Sequence, residues 1–315
     1  MFDALHTWFF STLIQPMLYQ FGMMAYDDQV FDASAWFLYG LIQIVALLVL
    51  VRPLESFFPA EEWTDRRGTG VDFLYTCINR LGLLPLVFFF TLRPFTDSLE
   101  AWMRMQGFVP PSLEDVFPIF VALPLASFLI YLLILDFADY IRHRFEHRFQ
   151  WWWELHAVHH SQRKMSLWTD DRNHLVAAAL SWLWFTLVAL IIGVQPGQFV
   201  GLLVLGRLIE SFSHANIKMN FGWLGDRLLV SPAYHRMHHA VGVGHEGKYY
   251  GCNFASLFPV WDIIFRTATF NFKFEETGIR DQVESGREYG EGFWTQQCLA
   301  VKRIATTSKP SASRS

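Results

Sequence analysis

The chain is 315 residues long, 52% hydrophobic and only 17% charged, and its net charge is −4 at pH 7. Soluble domains are nearer a quarter charged, so this composition is typical of a membrane protein, and the slightly acidic balance excludes the basic surface that binds nucleic acids. The three cysteines (Cys77, Cys252 and Cys298) form no CxxC pair, which argues against a disulfide framework and for buried reduced thiols.

Several apolar runs approach the roughly 20 residues that a helix needs to cross a bilayer. In chain order they cover residues 36–51, 71–92, 117–137, 175–194 and 199–212. The stretch 7–24 is also apolar but is interrupted by Pro16, which predicts an interfacial helix or a weak extra span. The sequence therefore predicts an all-α integral membrane protein with four to six transmembrane or interfacial helices.

Basic residues are distributed unevenly between the loops. Residues 1–35 contain no lysine or arginine, whereas residues 139–174 contain six. The positive-inside rule therefore places residues 52–70, residues 139–174 and the C-terminal region in the cytoplasm of a multi-pass membrane protein, in the bacterial inner membrane or the endoplasmic reticulum. The last two apolar runs would form a hairpin, which returns the chain to the same face.

Eight of the twelve histidines lie in three short boxes outside the apolar runs: HRFEH, HAVHH and HRMHH. They are His143, His147, His156, His159, His160, His235, His238 and His239. Residues four apart share one face of a helix, whereas the last two histidines of HxxHH diverge by about 100°, so that one box can reach two metals. Eight imidazoles exceed the needs of one tetrahedral zinc and suit two metals with four ligands each. We thus expect a helical cytoplasmic cap that carries these boxes, and because the hairpin returns the chain to the same face, all three boxes can meet there.

Acidic residues around the first box have two possible roles. Metal-bound histidines usually donate their second N–H to a carboxylate or a carbonyl, a role that would suit Asp136, Asp139 and Glu146. Alternatively, Asp139 and Glu146 pair with Arg142 or Arg144. The isolated His6 and His245 are expected to be core or loop residues without a metal.

Other functions share parts of this pattern. HRFEH also fits the HxxEH motif of a membrane zinc protease, in which Glu146 would be the base, but six boxed histidines would then have no role. A non-enzymatic metal transporter is the other alternative, although transporters place polar groups near the bilayer midplane, inside broken helices. GVGHEG matches GxGxxG but has no preceding strand, so it does not indicate a dinucleotide fold.

The three boxes together resemble those of the fatty acid hydroxylase superfamily, in its sterol desaturase-like branch. DFADYIRHRFEH and SPAYHRMHH are similar to the family's sequences around its first and last boxes. PVWDIIFRT (259–267) is similar to its closing motif, with Arg266 in place of the usual glycine. The resemblance covers about residues 117–270.

This resemblance implies two iron ions, for which zinc can substitute after purification, and dioxygen as co-substrate. The reaction would hydroxylate or desaturate a membrane lipid such as a sterol, a fatty acyl chain or an ether lipid. No electron-carrying motif is evident in the sequence, so a reductase, ferredoxin or cytochrome would supply electrons. The family often has a histidine near His214, which suggests it as a further ligand. His174 follows the second box at the start of the fourth apolar run and is either a further ligand or a core residue, and we expect Asn216 and Asn220 to be capping or supporting residues.

Three regions are predicted along the chain. Residues 1–116 would form an N-terminal membrane region, residues 117–270 the catalytic domain, and residues 271–315 a polar C-terminal tail. The small polar residues after about position 296 predict disorder there.

Overall fold

The computed structural model describes residues 2–62 and 67–307, and all the regular secondary structure in these ranges is helical. In chain order the helices are α1 (Phe2–Phe9), α2 (Gln15–Gln20), α3 (Asp27–Ala46), α4 (Arg52–Phe57), α5 (Arg67–Arg80), α6 (Leu83–Thr91), α7 (Arg93–Met105), α8 (Leu113–Val116), α9 (Pro124–Arg148), α10 (Gln150–His160), α11 (Leu175–Ile192), α12 (Pro196–His214), α13 (Gly222–Leu228), α14 (Pro232–His238), α15 (Val260–Ile264), α16 (Arg280–Glu284) and α17 (Phe293–Thr307). Shorter helical turns at Phe10–Ile14 and Leu47–Val51 join α1 to α2 and α3 to α4. The all-helical prediction is confirmed for these residues.

Three helical stretches among the described residues are long and apolar enough to cross a membrane: Met24–Phe57, Pro124–Arg148 and Leu175–Ile192. They correspond to three of the five predicted runs, with a later start for the third and an earlier end for the fourth. About 44% of the most apolar part of α9 is buried, whereas only 6% of α11 is buried. Helix α9 is therefore central in the bundle, and α11 presents most of its surface outward, as a lipid-facing helix would.

The predicted span at 71–92 is wrong as a single helix. The chain forms α5 and α6 instead, separated at Gly82, whose φ of 87° is left-handed. Only glycine adopts this conformation without strain. Asn79 and Arg80, which precede the break, are buried and bonded to the loop that carries Asp171. These polar contacts, rather than apolar length, determine where α5 ends.

Two other boundaries also differ from the sequence prediction. The third run was expected from residue 117, but α9 begins only at Pro124, after a 3₁₀ turn over Pro118–Val121. Proline is tolerated in the first helical turn and not in the interior, which explains this start. For the same reason Pro16 does not disrupt the N-terminal segment, because it lies at the start of α2.

The expected disorder after residue 296 is also wrong as far as residue 307. Helix α17 packs along α10, which carries the second histidine box. Phe293, Ala300 and Ile304 face the same apolar cluster as Leu155 and Val158. Their spacing of seven and four residues is helical, so α17 is an amphipathic helix fixed to the fold. Residues 308–315 lie outside the described residues.

Candidate metal centre

The first box lies at the end of α9, as a continuation of the membrane-crossing helix. His143 and His147 are four residues apart and project from one face, with ring centroids 5.2 Å apart. Both side chains are buried. A rigid 25-residue helix thus fixes this box relative to the rest of the bundle.

The second box ends α10, and the third extends over α14 and the residue after it. In the second box the Nε2 atoms of His156 and His160 lie 3.1 Å apart, while His159 faces another direction. In the third box the Nε2 atoms of His235 and His239 are 3.2 Å apart. Adjacent histidines on a helix diverge by about 100°, as expected. In each HxxHH box, therefore, the first and last histidines face one cluster and the middle one faces the other.

The histidines form two buried clusters. The five-histidine cluster contains His143, His147, His156, His160 and His238. The four-histidine cluster contains His159, His214, His235 and His239. Within each cluster the potential ligand atoms all lie within 4.8 Å of one another. The prediction that the three boxes meet is confirmed, and the clusters are neighbours, since the rings of His160 and His239 stack at 4.5 Å.

His214 joins the four-histidine cluster from the end of α12. Its Nε2 lies 2.8 Å from that of His235 and 3.1 Å from that of His159. Its Nδ1 donates to the carbonyl of Glu210, one turn earlier, at 2.7 Å. This bond holds the ring in the orientation that brings Nε2 to the cluster.

Backbone carbonyls determine which ring nitrogen carries the proton. The Nδ1–H groups of His143 and His147 donate to the carbonyls of Phe254 (2.8 Å) and Tyr250 (2.9 Å). His238 donates in the same way to the carbonyl of Cys252, at 2.7 Å. Because a carbonyl only accepts, Nδ1 must carry the hydrogen, and a neutral ring then presents a bare Nε2 lone pair to the cluster.

This arrangement fits a bound metal. Several Nε2 atoms approach one another to between 2.8 and 3.2 Å, and the Nε2 atoms of His143 and His238 are buried without a hydrogen-bond partner. Two bare Nε2 lone pairs at these separations repel unless a proton or a metal cation lies between them. Two nitrogens at about 2.05 Å from a tetrahedral metal would be roughly 3.3 Å apart, close to the observed spacing.

Burial keeps the clustered rings neutral, as metal ligands must be. Desolvation and then neighbouring rings lower the pKa of His160 and His239 well below the usual value. Burial also lowers the pKa of His238 to about 3. At neutral pH these nitrogens are therefore free to bind a cation rather than a proton.

Asp136 and Asp139, which were predicted to accept hydrogen bonds from histidine N–H groups, support the clusters only indirectly. Asp136 accepts from the backbone N–H groups of Leu257 and Phe258, at 2.9 and 3.1 Å. Asp139 binds Arg142 and accepts from Ser256. Neither carboxylate bonds to a clustered histidine within residues 2–62 and 67–307; instead they hold the loop whose Phe254 carbonyl orients His143.

Glu146 combines the two roles considered for it. Its Oε1 lies 2.5 Å from Arg142, and its Oε2 lies 3.3 Å from Nδ1 of His156. The carboxylate therefore contacts the side of His156 that faces away from the cluster. It supports the ring and is itself held by arginine.

The remaining histidines lie outside both clusters. His174 caps α11: its Nδ1 accepts from Val176 N–H at 3.1 Å, and its Nε2 donates to the Gln297 carbonyl at 3.2 Å. With both nitrogens engaged, it lies outside both clusters and does not join the ligands that the sequence suggested. His6 bonds to Ser34 within the N-terminal helices, and His245 lies in a loop, stacked on Trp153.

The two asparagines next to the last ligand region are structural. Asn216 accepts from Glu61 N–H and donates its own N–H to Glu55, and Asn220 accepts from Gly222 N–H. They agree with the expected capping or supporting role.

N-terminal residues that the sequence did not single out position the centre. Glu55 accepts from the N–H of Leu167, in the loop after the second box, as well as from Asn216. Asp72 binds Arg172, and Arg80 binds Asp171. Arg80 could have been recognised from the sequence, because it is a charged residue within an apolar run. Backbone carbonyl acceptors could not, because any residue type can provide one.

A cavity of about 270 Å³ leads from the bundle to both clusters. Its far walls are apolar and include Leu84, Phe88, Leu132 and Phe185. Its inner end reaches histidines of the five-histidine cluster (His143 and His156) and of the four-histidine cluster (His159, His214 and His235). An apolar molecule could thus approach both clusters from the side of the membrane helices.

Comparison with known proteins agrees with this site. The fatty acid hydroxylase family model matches residues 128–267, which include all nine clustered histidines. Human alkylglycerol monooxygenase is 30% identical over 132 residues, which cover 42% of this chain and 28% of that enzyme. An ornithine lipid hydroxylase from Rhizobium tropici is 24% identical over 237 residues, covering 74% of this chain and 66% of that enzyme.

The chain thus spans little more than a quarter of the alkylglycerol monooxygenases that it matches. No solved structure matches it significantly. The region that the family model matches contains all three boxes and both clusters. Residues 128–267 of the chain therefore match the fatty acid hydroxylase family, and the lipid hydroxylases that the chain resembles support the same superfamily.

Proposed function

We propose that the chain is a membrane-bound oxygenase that hydroxylates or desaturates a lipid, with two iron ions in its histidine clusters. The observation that carries this proposal is the convergence of nine buried histidines into two adjacent clusters at the inner end of an apolar cavity. The names of the relatives, alkylglycerol monooxygenase and ornithine lipid hydroxylase, indicate lipid substrates.

Iron bound by imidazoles would supply the activation of dioxygen that attack on an unactivated C–H bond requires. The balanced hydroxylation is R–H + O₂ + 2 e⁻ + 2 H⁺ → R–OH + H₂O. A separate one-electron carrier, a reductase, ferredoxin or cytochrome, would deliver the electrons. The protein's own side chains hold the metals, and the apolar cavity walls admit the lipid chain and exclude water.

The contacts of Glu146 favour this proposal over the HxxEH protease. A protease base must reach a metal-bound water, but Glu146 faces Arg142 and the outer nitrogen of His156. A transporter is less well supported because the clusters lie at the ends of α9 and α12 rather than at mid-helix.

We further propose that the centre faces the cytoplasm, as the distribution of basic residues indicates. The proposed catalytic domain remains 117–270, between an N-terminal membrane region (1–116) and residues 271–315. Contacts from Glu55, Asp72 and α17 support a single functional unit built from all three regions.

Metal analysis tests the centre first. Protein purified anaerobically should contain close to two metal ions per chain, with zinc replacing part of the iron after overexpression, because zinc binds such sites more tightly than ferrous iron. One ion, or none, would contradict the proposal. His239→Ala should lose metal, whereas His6→Ala is the matched control, since His6 lies outside both clusters.

Lipid analysis under ¹⁸O₂ tests the reaction. Hydroxylation adds one labelled oxygen to a lipid, a gain of about 18 Da with label or 16 Da without, whereas desaturation removes about 2 Da and adds no label. Neither product from membranes supplied with a reduced donor would contradict the activity, provided that two metals are bound.

A further inference from the structure

The cavity becomes more polar toward the histidine clusters. Along α12 it is lined by Phe199 and Leu202, then by Arg207 and Glu210, and finally by His214. At 1.5 Å per residue, Phe199 lies about 22 Å and Glu210 about 6 Å from His214 along the helix axis. The charged part of this wall is therefore next to the proposed metals, and the apolar part is remote.

Two other walls show the same gradient. On α9, Leu132 and Leu135 precede Asp139 and Arg142, which lie just before the first box. Helix α11 runs away from the clusters, whereas α9 and α12 run toward them. The cluster-side end of α11 is therefore its start, and the polar Asn173 lines the cavity just before that start. An amphiphile in this cavity would thus place its polar end beside the clusters and its chain along the apolar helices.

Arg207 and Glu210 differ from the other charged groups of the cavity. Arg142 is held by Asp139 and Glu146, and Asp170 is held by Arg80. For the side chains of Arg207 and Glu210, by contrast, no hydrogen bond or ion pair is formed with any residue in the described part of the chain; Asp170, Asp139, Arg142 and Arg207 act on Glu210 only through space. Their hydrogen-bonding capacity is available to a ligand.

We infer that Arg207 and Glu210 bind the polar end of the lipid substrate, and that oxidation occurs at a carbon close to that end. This inference rests on the proposed function. Glu210 would accept from an ammonium or hydroxyl group of the lipid, and Arg207 would donate to a carboxylate or oxygen. Ornithine offers an ammonium and a carboxylate, and glycerol offers hydroxyls, so both kinds of polar end fit this pair.

Binding measured without turnover tests the contact. The probes are an ornithine lipid, a 1-O-alkylglycerol and, as a control without donors, a fatty acid methyl ester of equal chain length. Glu210→Gln and Arg207→Met should weaken binding of at least one polar probe to the metal-loaded protein, kept without an electron donor, about 10- to 100-fold, as expected for lost charged hydrogen bonds. Methyl ester binding should change less than about threefold, and the exposed Glu100→Gln is the matched control.

Which polar probe responds distinguishes the two chemistries. Loss of ornithine lipid binding in both variants indicates a zwitterionic polar end, and loss of alkylglycerol binding indicates a hydroxyl-bearing one. Thermal melting and metal content, unchanged in both variants, would show that the fold is intact. Equal weakening of the methyl ester, or no change for either polar probe, would overturn the inference.

Product mapping tests where oxidation occurs. Fragmentation should place the added oxygen in the polar end or within the first few carbons of the chain. Oxygen in the distal half of the chain would overturn the inference while leaving the proposed hydroxylase intact. The absence of any hydroxylated or desaturated lipid would instead contradict the proposed function itself.

Discussion

Replacing Arg80 by methionine tests whether a buried ion network fixes the loop beside the metal centre. The guanidinium is almost fully buried and bonds to Asp171 (2.6 Å), Ser211 (2.7 Å), Asp170 (2.9 Å) and Gln43 (3.1 Å). It therefore joins α3, α5, α12 and the loop that lines the cavity. Methionine keeps most of the side-chain length but removes all four contacts.

The expected cost is large because two carboxylates lose their cation. Removing one partner of a buried ion pair costs about 3–5 kcal/mol. At about 2–4 °C per kcal/mol for a large domain, the melting temperature of Arg80→Met should fall by about 6–20 °C. The control is Arg104→Met, whose pair with Glu100 is exposed and worth at most about 1 kcal/mol.

The defect should also depend on pH. Burial and the neighbouring Asp171 raise the pKa of Asp170 to about 6 even with Arg80 present. Loss of the Arg80 guanidinium would raise the pKa of Asp170 further. A carboxyl whose folded pKa exceeds the unfolded value of about 3.9 stabilises the fold at low pH, and this contribution is lost as pH rises through the folded pKa. Arg80→Met should therefore be more destabilised at pH 8 than at pH 5.5.

Thermal melting in detergent, followed by circular dichroism at both pH values, measures these effects. Adding Asp170→Asn and Asp171→Asn to Arg80→Met should recover part of the lost stability, because the uncompensated charges are removed. A melting temperature within about 4 °C of that of Arg104→Met, or a defect that grows at low pH, would refute the role assigned to this network.

Further substitutions test the clusters. Glu146→Gln should reduce metal affinity by about 10–100-fold at most and retain lipid oxidation, whereas His147→Ala should lose lipid oxidation. Complete inactivation of Glu146→Gln with full metal retention would favour the protease. His214→Ala leaves three histidines in its cluster and should lower the metal content toward one ion per chain by elemental analysis. His174→Ala should keep both metals but lose about 0.5–2 kcal/mol of stability with its helix cap, as thermal melting would show.

The division of each HxxHH box between two sites was predictable because helical spacing determines which histidines share a face. Residues 156 and 160 are one turn apart, and residue 159 points elsewhere, so the sequence alone predicts that the box reaches two sites. The hairpin of α11 and α12 likewise follows from the two apolar runs. These features depend on local geometry, which a sequence pattern records directly.

Contacts between distant segments were not predictable in the same way. The carbonyl of Phe254 that orients His143 lies 111 residues away along the chain, and any residue type could provide it. The end of α5 depends on the pairing of Arg80 with Asp171, 91 residues later. Helix α17 was missed because its polar residues suggested disorder, although its apolar positions have a helical spacing.

The unequal size of the two clusters follows from the boxes themselves. HxxxH presents both its histidines to one side, whereas each HxxHH box divides its three histidines between two sides. The boxes alone therefore supply five histidines to one cluster and three to the other. His214 provides the fourth from α12, whose preceding turns line the cavity. Completion of the second cluster and the shape of the cavity thus depend on one helix, and this dependence links the proposed metal centre to the path by which a lipid would reach it.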